Sequence, residues 1–206
     1  MSGIVRGVSN DTLLSRRRGG KMLRNTATSW GLVSIVFHWT MAALFLGQFA
    51  LGWYMQGVAN LVDQFNLYQW HKSFGFLILG LAVLRLAWAL ASRRPELPAG
   101  MPEGEKRLAR LSHLLLYVFL LVVPLTGWAV VSTSPLPIAS RFFGLFIVPW
   151  LPLGISLHAE QLWSSLHGFL AYAAIFLVAV HVLAALRHHF RDRDDVLVRM
   201  IRPRRG

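Results

Sequence analysis

Eight histidines are present: His38, His71, His113, His158, His167, His181, His188 and His189. Imidazole is the side chain best suited to ligate a metal or carry a proton near neutral pH. His167 and His181 lie in an almost wholly apolar run, "SLHGFLAYAAIFLVAVHVLAAL". An ionisable group in hydrocarbon is costly, so it is a functional candidate by default. Fourteen residues at about 100° each fall roughly 40° short of four full helical turns, so both rings face one side of a helix, about 21 Å apart along its axis. One metal ion cannot use both ligands at that distance, whereas two separate groups stacked along the helix can. Cysteine is absent, which excludes disulfides, iron–sulfur clusters and thiolate metal sites.

The elements that must position these rings read as membrane spans. Hydrophobic residues make up 55% of the chain, and its mean hydropathy is +0.49. Four nearly uncharged stretches, 30–54, 73–90, 111–131 and 161–186, approach the roughly 20 apolar residues that cross a bilayer core. Buried helices of a soluble bundle would need polar faces at helical period, and these stretches have almost none. The fold class is therefore all-α, a four-helix transmembrane bundle. The net charge of +12 raises nucleic acid as a partner, but the positions of the charges argue against it. Of the 21 Lys and Arg, six lie in 1–29, five in 91–110 and seven in 187–206, leaving only Lys72, Arg85 and Arg141. With four spans, the three basic segments share one side, which by the positive-inside rule is the cytoplasm, with both termini there. The charge is a topology signal and an attraction to membrane lipid rather than to nucleic acid.

The expected organisation is a basic cytoplasmic arm over 1–29, a four-span domain over 30–190 and a basic cytoplasmic tail over 191–206. Residues 1–21 read as polar and disordered, with Met22 as an alternative start. The outer connections are expected over about 56–68 and 132–160. The second mixes prolines with Phe142, Phe143, Phe146 and Trp150, and is expected to fold back on the membrane surface as a lid. Pro124 is expected to bend the third span. Trp30, Trp53, Trp70, Trp88, Trp128 and Trp163 mark the interfacial belt.

Depth then pairs the histidines. His38 lies roughly 12 Å in from the cytoplasmic side, and His181 roughly 9 Å in from the same side. His71 at the outer mouth of the second span matches His167 near the outer end of the fourth. Two imidazoles per site in a four-helix core, without thiolates or carboxylates nearby, suggest bis-imidazole haem. Zinc usually takes four ligands, or three and water, and neither pair offers a third. Gly47, Gly75 and Gly168 would leave room for a flat macrocycle. His113 reads as interfacial, His158 as a solvated or lid residue, and His188 and His189 as headgroup contacts. Arg85 and Lys72 each either snorkel or pair with a haem propionate.

The segments "IVFHWTMAALFLGQFALGWYM", "YQWHKSFGFLILGLAVLRLAW", "RLSHLLLYVFLLVVPLTGW" and "LHGFLAYAAIFLVAVHVLAALRHHFRDRDDVLVRM" resemble, in order, the four spans of the bacterial dihaem cytochrome b-561 family. The resemblance covers about residues 29–201, and "FFGLFIVPW" is similar to that family's lid. It implies two haems b as cofactors, with His38 and His181 holding the inner iron and His71 and His167 the outer. It also implies an oxidoreductase in the bacterial inner membrane that takes electrons from superoxide, or another periplasmic donor, and reduces ubiquinone. Lys72 and Arg141 would steer the superoxide anion toward the outer face. The alternative is a cytochrome b anchor subunit that passes electrons between a partner dehydrogenase or hydrogenase and quinone. A haem-free proton or metal transporter fits less well, because transporters place their sites at the midplane, often on broken helices.

Overall fold

A computed structural model describes residues 23–98, 100–136 and 138–202. The expected arm over 1–21 and the alternative start at Met22 lie outside the described residues. Four long helices follow one another: α1 (Leu32–Tyr54), α2 (Leu61–Ala91), α3 (Glu103–Thr133) and α4 (Leu157–Arg187). All four are long and apolar enough to cross a membrane. A short helix, α5 (Val196–Ile201), follows a π-turn over His188–Asp192.

Three of these helices begin before their apolar runs, and capping explains two of the starts. Asn60 Oδ1 accepts from the backbone N–H of Val62 and Asp63 at 2.9 and 3.1 Å, which starts α2 inside the expected outer loop. Ser156 Oγ accepts from Ala159 N at 3.0 Å and starts α4, so His158 is a helical residue in the first turn rather than a loop residue. Acidic residues in the first turns, Asp63 and Glu160 here and Glu103 and Glu105 in α3, complement the helix dipole. Hydropathy alone is blind to these polar turns, which made the outer connections look longer than they are.

Between α3 and α4 lies a departure from the all-α expectation, a hairpin of β1 (Ser140–Phe142) and β2 (Phe146–Val148), with Arg141 opposite Ile147. Its turn carries positive φ at Phe143 (48°) and Gly144 (76°). Glycine accepts that region freely, whereas phenylalanine is strained there. The strain is offset by docking on α2. Phe143 N donates to Ser73 Oγ at 3.0 Å, and its ring lies 5.1 Å from that of Phe74 and 5.8 Å from that of Trp70. The segment does fold back, as a hairpin with its own register.

The packed core belongs to the first three helices: Met41, Ile78 and Ala82 are buried together, with Leu44, Leu81, Leu120 and Leu121 against them. Among the described residues of α4 only Ala174 is fully buried. That helix packs closely on α3 and barely approaches α1.

The described parts of the three basic segments, residues 23–29, 91–110 without 99, and 187–202, converge at one end of the bundle. Asn25 Nδ2 donates to Arg93 O at 2.9 Å, Arg199 Nη1 to Glu96 O at 3.0 Å, and Arg187 pairs with Glu105 at 2.9 Å. Trp39 Nε1 on α1 donates to Met200 O at 2.7 Å, tying α5 beneath the bundle. His188, expected among lipid headgroups, instead contacts Asp194 at 2.7 Å and Asp192 at 3.3 Å. Folding the tail back makes these protein contacts available, and a linear reading of the basic tail cannot see them.

Candidate functional site

His167, Ala174 and His181 follow at intervals of seven residues, so they form one stripe on α4. Alanine at the middle position is buried, and the two imidazoles project from the same side at two levels. Each level meets a histidine from another helix. The rings of His181 and His38 (α1) have centroids 6.2 Å apart, and those of His167 and His71 (α2) are 6.1 Å apart. α4 thus faces α1 and α2 through imidazoles. Among the described residues, no three His, Asp or Glu side chains gather closely enough to hold a metal ion by themselves.

The outer pair is seated by the sequence "PLTGW" on α3. His167 Nδ1–H donates to Val123 O at 3.0 Å, with Thr126 Oγ1 3.1 Å away, and Thr126 Oγ1 donates to the same carbonyl at 2.7 Å. That arrangement leaves Nε2 as the free lone pair. Gly127, one turn below Val123, is where a Cβ would come 3.1 Å from His167 Cε1. Gly52 does the same for His71, where a Cβ would come 2.9 Å from its Cε1. The expected glycines behave differently. Nothing lies near Gly47 or Gly168, and Gly75 faces Gln48 rather than a histidine. Gln48 Nε2 donates to His71 O at 2.6 Å, while His71 Nδ1 and Gln48 Oε1 are both buried without a partner among the described residues.

The inner pair carries two further groups. Arg85 does not snorkel. Its Nη2 donates to His38 Nδ1 at 3.2 Å, and its guanidinium lies 5.4 Å over the ring of Tyr117. His113, read as interfacial from the sequence, has its ring centroid 5.4 Å from that of His181, with Nδ1–H donating to Ala109 O at 2.7 Å. The "RLSHLLLY" segment held this signal, since His113 and Tyr117 are four residues apart and share a helix face.

Lys72 and Arg141 come to the same end of the bundle, the one bearing the hairpin. Ser73, next to Lys72, donates through Oγ to Arg141 O at 2.8 Å, and Gln69 Nε2 donates to Ala139 O at 3.2 Å. Lys72 is half-buried and Arg141 exposed. The aromatic lid extends outward from this anchor, with the ring of Phe142 4.8 Å from Phe143 and 5.1 Å from Phe146, and with Trp150 exposed.

Known proteins with this pattern were found by comparison. The profile of the prokaryotic cytochrome b561 family matches residues 29–203. "Cytochrome b561 homolog 2" of Escherichia coli is 34% identical over 179 residues, covering 86% of this chain and 93% of that protein. "Cytochrome b562" of Cereibacter sphaeroides is 30% identical over 179 residues, covering 84% of this chain and 94% of that protein. "Probable superoxide oxidase CybB" of Yersinia pestis is 29% identical over 147 residues, covering 66% of this chain and 75% of that protein. A bundle of four apolar helices, matched over nearly its whole length by this profile, belongs to the prokaryotic cytochrome b561 family of haem-binding membrane electron-transfer proteins.

Proposed function

We propose that this chain is a dihaem b-type cytochrome that oxidises superoxide at the face bearing the hairpin and reduces ubiquinone. The carrying observation is the pair of imidazole pairs, 6.2 and 6.1 Å between ring centroids, stacked on one helix. A metal–imidazole bond is roughly 2 Å long and a ring nitrogen lies roughly 1 Å from its centroid, so two axial imidazoles on one iron set their centroids about 6 Å apart. Both pairs fit that requirement. His38 and His181 would hold the inner haem, and His71 and His167 the outer. When bound, haem supplies the one-electron redox couple, while the chain supplies ligation, burial and tuning.

The residues around each pair do the tuning. Val123 O and Thr126 hold His167 in the tautomer that presents Nε2. Gly52 and Gly127 let the outer rings approach the neighbouring backbones. At the inner pair a guanidinium can only donate, so His38 Nδ1 is the acceptor and its neutral ring carries the proton on Nε2. To hold a haem iron through Nε2, His38 would carry its proton on Nδ1 instead, and Arg85, no longer donating there, would be a half-buried cation free to pair with a carboxylate such as a haem propionate. On the outer face Lys72 and Arg141 would attract a small anion beside the hairpin docked on α2. The name of the Yersinia relative supports superoxide as donor.

The test is the visible spectrum of the purified protein with haem quantitation. Two haems b per chain, reduced by superoxide and reoxidised by ubiquinone, are expected. A single haem, or no response to superoxide when dithionite reduces both, would overturn the reading. Neutralising Lys72 and Arg141 together is expected to slow superoxide-driven reduction and flatten its salt dependence, and an unchanged rate would sink the steering role.

A further inference from the structure

A second polar site lies at the basic end, about one helical turn beyond His38 and Arg85. The segment 23–31 is knit to the end of α2. Asn25 Oδ1 accepts from Gly31 N at 2.9 Å and from Ser34 Oγ at 2.7 Å, and Glu96 N donates to Ala27 O at 2.8 Å. The fold is so close that a Cβ on Gly31 would come 2.4 Å from the backbone of Leu23 and Arg24. Trp88 Nε1 closes the arrangement by donating to Ser34 Oγ at 2.9 Å. These bonds frame a cleft of about 370 Å³ lined by Arg24, Asn25, Trp88, Ala91, Ser92 and Arg93.

The chemistry of the cleft is asymmetric. Arg24 and Arg93 are among its lining residues, both are exposed, and neither guanidinium has a hydrogen-bonded or ion-paired partner among the described residues. Two like charges around one cleft repel unless an anion lies between them, and the guanidinium fork matches phosphate oxygens in pairs. Trp88 and Ala91, also in the lining, belong to the apolar end of a membrane helix, with the neighbouring Leu90 73% exposed. A tryptophan there sits at headgroup level, and basic pockets at helix ends on such a face suit lipid phosphates. We propose that this cleft binds the phosphate headgroup of an anionic phospholipid, whose acyl chains run along the end of α2. A free phosphate satisfies the arginines but leaves the apolar part of the lining unused.

The experiment is native mass spectrometry of the full haem-loaded chain in detergent, titrated with phosphatidylglycerol, phosphatidylcholine or inorganic phosphate. The wild type is expected to retain phosphatidylglycerol in preference to phosphatidylcholine. Arg24→Gln or Arg93→Gln is expected to weaken retention by about fivefold, and the double variant by about 25-fold. Arg107→Gln with Arg110→Gln removes the same charge elsewhere on the same end and is expected to stay within about twofold of wild type. Equal loss in both double variants, or equal retention of the two lipids, would overturn the site. Displacement of the lipid by inorganic phosphate would make it a free-anion site and reject the lipid. The haem spectrum and melting temperature of each variant report folding independently. The pair Arg24→Lys with Arg93→Lys, which keeps charge and loses the fork, is expected to fall between wild type and the Gln pair.

Discussion

The sharpest predictions concern side chains that touch the histidine rings. Gly52→Ala and Gly127→Ala each place a methyl about 3 Å from an outer ring carbon, closer than an unstrained contact. Either variant is expected to lose most of the outer haem's redox wave in a potentiometric titration while the inner wave persists. Equal loss of both waves would mean that the glycines support the whole bundle instead of one ring pair. Arg85→Leu removes a positive charge beside His38 and is expected to lower the inner haem's midpoint potential by on the order of 50–100 mV, whereas Arg85→Lys shifts it much less. An unchanged potential in the leucine variant would rule out the electrostatic role. The histidines themselves were legible from the sequence, because helical period and depth are properties of one chain segment at a time. Gly52, Gly127 and the inward turn of Arg85 were not, because they depend on which neighbouring helix lies opposite, and a single segment carries no record of that register.

At the level of elements, Ser73 and Gln69 anchor the hairpin to α2. Ser73 Oγ contacts Arg141 O and receives the N–H of the strained Phe143, so it holds β1 and the turn to α2. Ser73→Ala is expected to weaken this docking by about 1–3 kcal/mol. The readout is faster amide exchange across Arg141–Val148 with unaltered exchange in the spans. Protection equal to wild type would show that Gln69 and the packing of Trp70 and Phe74 hold the hairpin without the Ser73 hydroxyl. The lid's position was legible from its prolines and aromatics. Its strand pairing was not, since three-residue strands are too short to show an alternating pattern. The true helix starts at Asn60 and Ser156 were readable as caps, but hydropathy masked them.

For the molecule as a whole, the gathering of the described parts of three basic segments at one end predicts orientation in the membrane. The absence of cysteine makes the natural chain its own background for thiol labelling. Ala27→Cys at the basic end is expected to resist a membrane-impermeant maleimide in intact cells, and Ile155→Cys at the hairpin end to react with it. The reverse pattern would invert the direction of electron flow proposed here. Charge asymmetry made this arrangement legible before any fold was known, because topology is written in loops rather than in contacts. Both levels of imidazole hang from a single rod, α4, which is gripped by α3 and only lightly by α1. A bilayer that tilts or slides that rod moves both imidazole levels in step, so with the two proposed haems in place membrane thickness would act on both potentials as one mechanical input.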